Sequence, residues 1–559
     1  MKKWEVLTKL KTKNSKFKND EVIKILLVNR GIKTKKETEE FLNPKLSNVT
    51  AENVRINKVQ LKKSVARIKK AITKKEQVVI FGDYDVDGVC GTAILWETLN
   101  DLGAKVIPYI PHRIDEGYGL SEKGILNLES QISNVKLIIT VDNGIVAEKA
   151  VDFAKKQGID VIITDHHVPS KILPKAFSIV HTTLLCGTAV AYMLSREIQN
   201  TKYKIQNTHL ELVALATVAD LVPLTGANRV LLKSGLLELQ KTKRLGLLAL
   251  FKEAQINPQT IGVYEIGHII APRLNAMGRL ESAMDSLRLL CTLNDKRAEE
   301  LAHKLGSTNR ERQSVTGEAV SHAKTKVRNA KSEKDSLLFI SDEAYEQGVI
   351  GLVAGRLVEE FYRPSIVVSK GKTFSKASAR SIAGFNIVEF IRSELELLVD
   401  VGGHPMAAGF TVETKKLSLL EKKLKKRAKE LLSQDLFKRV IRIDLELPSS
   451  LISQKLYDAI QKLQPFGMKN PEPVFLTKNF TVSDIRLVGN GRKHLKLSLQ
   501  APDSNLQIGG IYFGGGENNV LSIGDRVDVA YNILENEWKG NKKLELKIKD
   551  LNRRGKALS

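Results

Sequence analysis

Cysteine is scarce in this chain. Three residues in 559, Cys90, Cys186 and Cys291, carry thiols, and none lies at C-x-x-C spacing. That excludes a disulfide framework and a thiolate zinc site, and it fits a reducing compartment. Long apolar runs are missing too. No stretch reaches the ~18 uninterrupted apolar residues of a membrane-spanning helix, and the opening MKKWEVLTKLKTK lacks the apolar core of a secretory signal. A cytoplasmic protein is expected. Acidic residues are in deficit, 63 Asp and Glu against 88 Lys and Arg, for a formal net charge of +25. Hydrophobic residues are not lacking: at 42% they suffice to bury cores and exclude a wholly disordered chain. The length predicts about three to five domains.

The positive charge is concentrated. Residues 1–75 hold 22 Lys and Arg against 7 Asp and Glu, and residues 415–442 hold 11 against 3. A polyanion, nucleic acid first, is the natural counterpart, because Lys and Arg that neutralise phosphates release counterions. The plainer alternative is a solvated Lys-rich surface, since net charge speaks to partners and not to fold.

From residue 77, short β-branched runs alternate with helical stretches: QVVIFG, AKVIPYI, VKLIITV and IDVIIT, with GTAILWETLNDLG and AEKAVDFAKKQG between. This pattern predicts βαβ units and a mostly parallel, doubly wound sheet. Ligands in such sheets sit past the carboxyl ends of the strands. Residues 209–330 read as helical, ending in a charged stretch that predicts one long connecting helix. A second α/β segment starts near SLLFI and runs through DVGGHPMAAGF to a basic helix. After Pro448, short alternating strands with Gly/Asn turns predict a small antiparallel barrel of OB type.

FGDYDVDG places Asp83, Asp85 and Asp87 two residues apart directly after an apolar strand. Three carboxylates so close call for a cation to share the site. D-x-D-x-D-G also opens an EF-hand loop, but loop position twelve is Ile94 where a bidentate Glu is needed, and a strand precedes it. LIITVDNG adds Asp142, VIITDHH adds Asp165, His166 and His167, and LATVAD adds Asp220. Asp with His suits a Mn²⁺-like or Mg²⁺-like ion. Singly, each has a structural alternative, because a strand-end Asp caps the next helix and a His pair packs. Together, at one edge of one sheet, they match a two-metal hydrolytic site.

DYDVDG, VDNG, DHH and VAD, followed by GGHPMAAGF, resemble the successive motifs of the DHH phosphoesterase superfamily and its DHHA1 partner domain. Within it the chain is most similar to the RecJ family of single-strand-specific 5′→3′ DNA exonucleases, over roughly residues 50–555. The resemblance implies metal ligands at Asp85, Asp87, Asp142, His166 and Asp220 for two Mn²⁺ or Mg²⁺ ions. Asp83 and His167 fall in the same motifs as a further ligand or a supporting group, and Asp142 and Asp87 are expected nearest both ions. Gly402, Gly403 and Gly409 let backbone approach a phosphate, and His404 can donate to it or to a developing oxyanion. Ser378, Arg380 and Ser381 resemble the family's phosphate-binding SxRS element, and Arg113 in PHRIDEGYG matches another such position. Arg273, Asn275 and Arg279 in APRLNAMGRL, with Asn309, Arg310 and Arg312 in NRERQ, resemble segments expected to face DNA.

The domain reading that follows is a basic segment over 1–50, a DHH domain with helical extension over 51–295, a connecting helix over 296–332, DHHA1 over 333–435 and an OB fold over 436–555. Phe466, Phe475, Phe480, Tyr512, Phe513 and Trp538 stand in the last among basic residues such as Arg486, Arg492 and Lys493, and about half of these aromatics are expected in its core. No further C-terminal domain is expected after it, and the stretch after DHH reads shorter than in the family. The resemblance implies single-stranded DNA as substrate, with a single-strand-binding protein and a RecQ-type helicase as partners, and neither a membrane nor a small organic cofactor. Two rival readings remain. One is a superfamily phosphodiesterase of short oligonucleotides or cyclic dinucleotides, which needs neither the basic N-terminus nor the barrel. The other is a non-catalytic single-strand-binding scaffold, which has no use for a full ligand set.

Overall fold

Five apolar runs form one parallel sheet. They are Gln77–Gly82 (β1), Lys105–Tyr109 (β2), Val135–Val141 (β3), Asp160–Asp165 (β4) and Ser178–His181 (β5), in the order β2-β1-β3-β4-β5. β1, β3 and β4 are buried along almost their whole length, which explains why their sequences are apolar runs and do not alternate. The strand order reverses between β1 and β3, so their carboxyl ends flank the switch-point crevice of a doubly wound sheet. The computed structural model describes residues 2–8, 18–113, 115–199, 209–502, 504–516, 520–538 and 540–556; the side chain of Trp538 lies outside what is described.

Helix α1, Val86–Asp101, follows β1 at once. Every residue from Val86 to Leu95 is buried, as expected of a helix enclosed on all sides. Gly187–Gln199 (α2) and Leu210–Ala219 (α3) pack against it. Further on lie Ala271–Leu280 (α4) and Asp295–Asn329 (α5). The expected connecting helix is this single 35-residue α5, capped by Asn294, whose side chain accepts from Arg297 N–H. Near its far end Ala319, Ala323 and Val327 join the core of a second sheet with Leu338, Val353 and Leu357.

That second sheet contains Leu338–Asp342 (β6), Ser365–Ser369 (β7), Phe374–Arg380 (β8), Leu398–His404 (β9) and Ala407–Glu413 (β10), in the order β9-β10-β8-β7-β6. Only β6 and β7 pair in parallel. Helix α6, Ile350–Phe361, covers one face, and the basic helix Leu417–Leu431 buries Leu417, Leu420, Leu424 and Ala428 on the other. Both sheets belong to one compact unit, 46–222 with 227–437.

The other unit comprises 1–45, 223–226 and 438–559. Strands Phe475–Val488, His494–Gln500, Gln507–Tyr512, Asn541–Lys556 and Asp525–Trp538 pair in that order, and the last pairs back to the first, closing a five-stranded barrel. Phe475 and Phe480 fill its core, and Phe466 and Tyr512 pack against it, while Phe513 is 55% exposed. The barrel is not purely antiparallel, because Gln507–Tyr512 runs parallel to Asn541–Lys556. The basic N-terminal segment does not stand alone. Lys3–Thr8 pairs in parallel with Val440–Glu446, and helix Asn19–Asn29 buries Val22, Leu26 and Leu27 in the barrel's core.

Candidate active site

Each strand-end motif delivers its carboxylate to the switch-point crevice. Asp85 is the N-cap of α1: its Oδ1 accepts from the N–H groups of Asp87, at 2.9 Å, and Gly88, at 3.1 Å. Asn275 Oδ1 accepts from Val86 N–H at 2.9 Å and holds the same turn from α4. Asp87, one turn into α1, receives the first N–H groups of α2, from Gly187 at 2.6 Å and Thr188 at 2.7 Å. Gly187 is required here, because a Cβ at that position would stand 2.6 Å from the Asp142 Cβ. Capping and metal binding are therefore compatible roles for Asp85 and Asp87, since a carboxylate has lone pairs for both.

Asp142, His166, His167, Asp220, Asp83, Asp85 and Asp87 come together as three overlapping groups. Asp142 with His166 and His167, Asp87 with His166 and Asp220, and Asp83 with Asp85 and Asp142 each offer ligand atoms within 4.8 Å of one another. His166 Nε2 lies 3.1 Å from Asp142 Oδ1 and 3.7 Å from Asp87 Oδ2, and His166 Nδ1 is 3.7 Å from Asp220 Oδ2. Despite the 3.1 Å approach, the angles make no hydrogen bond, and Asp142 Oδ1 and Asp83 Oδ1 are buried with no partner among the described residues. Burial first, then the charges of Asp87 and Asp85, push the Asp142 carboxyl well above the usual carboxylate range. Burial and Asp85 do the same to Asp83, and burial with Asp87 and Asp85 raises Asp220 to about 9. Burial lowers His166, so its ring is a neutral ligand. Crowded carboxylates, a neutral imidazole and orphaned oxygens fit hard divalent cations of the Mn²⁺ or Mg²⁺ kind.

Asp165 does not face the ligands but orders them. Its Oδ1 accepts from the backbone N–H groups of His166 and His167 and lies 2.8 Å from His167 Nδ1, and its Oδ2 accepts from Ile145 N–H. Against the cost of burial, this contact raises His167 and lowers Asp165. The other His167 nitrogen, Nε2, is 3.2 Å from the Tyr118 hydroxyl. His404 at the end of β9 stacks on His167, ring centroids 6.1 Å apart and planes 13° from parallel. The second sheet thus reaches the metal-ligand cluster through His404.

Beside the carboxylates lies a cleft of about 470 Å³, lined among others by Tyr84, Arg113, Tyr118, Arg279, Ser378 and Arg380. Arg279 is held by Gly348 O, and burial with the nearby Arg113, Arg312 and Arg380 lowers it to about 10. Arg113, Arg279 and Arg380, gathered along one cleft, make it an anion site. The first turn of α6 adds to it. Gly351 comes so near that a Cβ would sit 3.0 Å from both Arg380 Nη2 and Ser378 Oγ, and the free N–H groups of a helix start favour phosphate.

Other expected positions are placed differently. Ser381 is buried, and its hydroxyl donates to Phe385 O at 2.6 Å, so it shapes a turn and does not line the cleft. Arg310 and Arg273 share the single carboxylate of Glu253, and the Arg310 side chain stays 58% exposed. Asn309 is buried and accepts from Arg312, and Arg312 lines a smaller cavity with Arg279. Gly402 and Gly403 lie exposed on edge strand β9, or nearly so, and Gly403 has φ 136°. Tyr84, Tyr118 and Gly351 escaped the sequence reading. Tyr84 and Tyr118 stand inside the quoted motifs, and Tyr84 lies under the Arg113 guanidinium, 4.9 Å from ring centroid to Cζ. A larger cavity, about 600 Å³, is lined by Glu97, His209, Glu211 and Arg244, whose charges pair with one another and include no candidate ligand.

Comparison with known proteins bears on this geometry. Residues 77–217 match the DHH family, N-terminal domain; 334–431 match the DHHA1 domain; and 443–550 match the RecJ OB domain. The single-stranded-DNA-specific exonuclease RecJ of Bacillus subtilis is 34% identical over 568 residues, 98% of this chain and 70% of that one. The chain belongs to the RecJ family. RecJ of Escherichia coli is 30% identical, over 95% of both chains. The crystal structure of RecJ in complex with Mn²⁺ from Thermus thermophilus superposes with a TM-score of 0.83 at 28% identity, covering all of this chain and 80% of that one. A RecJ structure with Mg²⁺ from the same organism gives 0.77 at 27% identity, over 99% of this chain and 79% of that one.

Proposed function

We propose that the chain is a metal-dependent exodeoxyribonuclease that shortens single-stranded DNA from its 5′ end and releases nucleotide 5′-monophosphates. The observation that carries this is the three overlapping Asp/His groups beside a cleft lined by Arg113, Arg279 and Arg380. Asp83, Asp85, Asp87, Asp142, His166 and Asp220 would hold two divalent ions, which would supply Lewis acidity and lower the pKa of the attacking water. Arg113, Arg279, Ser378 and Arg380 hold the terminal 5′-phosphate, so the first phosphodiester is the one presented to the ligand cluster. Water adds its oxygen to phosphorus, the bond from phosphorus to the 3′-oxygen breaks, and that oxygen takes the proton. His167, fixed by Asp165, and His404, stacked on it, bracket the reacting phosphate and stabilise its growing charge.

The barrel supports binding of the continuing strand, with Phe513 as an exposed stacking surface beside His494. Among the described residues no helix is long and apolar enough to cross a membrane, in keeping with a cytoplasmic repair enzyme. A RecQ-type helicase would supply the single strand, and a single-strand-binding protein would keep it open.

The test uses a single strand labelled at either end, with Mn²⁺ or Mg²⁺, and an Asp142→Ala control. Mononucleotides appearing from the 5′ end, with duplex spared and the variant inactive, support the reading. Intact long strands with dinucleotides or cyclic dinucleotides consumed would replace it with a small-substrate phosphodiesterase.

A further inference from the structure

The cleft does not end at the terminal-phosphate site. Three cross-strand rows of the second sheet run away from the ligand cluster on its cleft face. Nearest is the row of His404, Ala407 and Arg380; next come Gly402, Gly409 and Ser378; farthest come Asp400, Thr411 and Lys376. Rows on one face are about 6.7 Å apart, two residues along a strand. The middle row carries almost no side chain: a Cβ on Gly402 would meet only open space. Lys376, Thr411 and Asp400 line the same cleft as Arg380.

The farthest row is chemically unfinished. Thr411 is only 5% exposed, and its Oγ1 has no hydrogen-bond partner among the described residues. Lys376 is exposed beside it and forms no ion pair among the described residues, and Asp400 stands two strands away at the margin. A buried, unpartnered hydroxyl in the cleft wall, next to an ammonium with no ion pair among the described residues, suits an anion that arrives with the substrate.

Resting on the exonuclease reading, we propose that this row is a subsite for the β- and γ-phosphates of a single strand of DNA that carries a 5′-triphosphate. With the α-phosphate on Ser378 and Arg380, the added phosphates run over the bare glycine row toward Thr411 Oγ1 and Lys376 Nζ. The first turnover on such a strand releases a nucleoside 5′-triphosphate. Water adds to the scissile phosphorus, the 3′-oxygen leaves with the proton, and the phosphoanhydride bonds stay intact. The shortened strand then carries an ordinary 5′-monophosphate.

The experiment compares 5′-triphosphate and 5′-monophosphate forms of one oligodeoxynucleotide in first-turnover product analysis, using the full chain with Mn²⁺. Wild type is expected to release nucleoside triphosphate at a rate within a few-fold of the monophosphate reaction. Lys376→Ala should lower kcat/KM for the triphosphate end about tenfold, the worth of a charge-assisted hydrogen bond, and leave the monophosphate end unchanged. Thr411→Val should act in the same direction, and Lys376→Arg, which keeps the cation, should restore the triphosphate reaction. A wild type that cuts the monophosphate end but stalls at the triphosphate overturns the subsite alone, as do variants that slow both ends equally. A wild type that cuts neither overturns the exonuclease reading and the subsite with it.

Discussion

Asp142 holds a left-handed backbone, φ 62°, which costs a non-glycine residue on the order of 1 kcal/mol. The turn persists because Asn143, next in the chain, ties it down, with Nδ2 donating to Phe81 O and Val141 O and Oδ1 accepting from Leu120 N–H. Asp165 shows the same logic one strand over, holding the backbone of His166 and His167 and the His167 ring. Asp165→Asn is expected to reduce the exonuclease rate about 10- to 100-fold and to move the His167 proton resonances in NMR titration; an unchanged titration with lost activity would reduce it to a structural part. Away from the cleft, burial would raise the Glu97 carboxyl, but hydrogen bonds from His209 and Arg244 outweigh that and hold it at about 2 against an ordinary 4.5. Its contribution is therefore complete above about pH 4.5 and fades as pH falls toward 2. Glu97→Gln should cost roughly 2–3 kcal/mol at neutral pH, with the gap from wild type closing in urea melts run between about pH 5 and pH 3. A constant gap across that range would rule the linkage out. Such residue-scale partners were illegible beforehand: Glu253, which Arg273 and Arg310 share, lies 20 and 57 residues from them in sequence.

At the scale of elements, a strand-end Asp was expected either to cap a helix or to bind metal. Asp85 caps α1, and its carboxylate also stands in one of the groups that could hold an ion. Parallel strands, their helices and the long α5 were legible because apolar runs, spacing and uninterrupted helical composition are local properties. The start of α6 was not. Nothing in YEQGVIGLV announces an anion site until the fold sets Gly351 against Ser378 and Arg380. Gly351→Ala should push that turn off the two side chains. The expected outcome is a loss of preference for 5′-phosphate over 5′-hydroxyl ends with the catalytic rate on saturating strand largely kept; an equal fall on both ends would assign Gly351 to folding only.

At the scale of the whole molecule, the chain's first residues belong with its last. Lys3–Thr8 is the outer strand of the sheet that continues through Val440–Glu446 into the barrel, and Trp4 Nε1 donates to Asp550. Removing residues 2–8 would expose the edge of Val440–Glu446, a liability in any sheet. The truncated chain is expected to show faster proteolysis within residues 438–556 while 46–437 stays resistant. Equal resistance throughout would show the strand to be dispensable. The concentration of charge in residues 1–75 therefore does not mark an independent basic arm, since much of that stretch folds into the two units.

Ligand chemistry, the parallel sheet that gathers the ligands and the succession of α/β, helix and barrel were all determined by the sequence alone. Each depends on residues close in the chain: a motif follows its own strand, and a parallel sheet brings every strand end to one edge. Tertiary structure alone decided which charges stay available. Ser381 turns inward to Phe385 O, and Arg273 and Arg310 share a glutamate far away in sequence, while Tyr118, Gly351 and Thr411 gain their roles from elements that meet them only in the fold. Hydrogen bonds and ion pairs form between whatever packing brings within about 3–4 Å, and sequence separation carries no record of that.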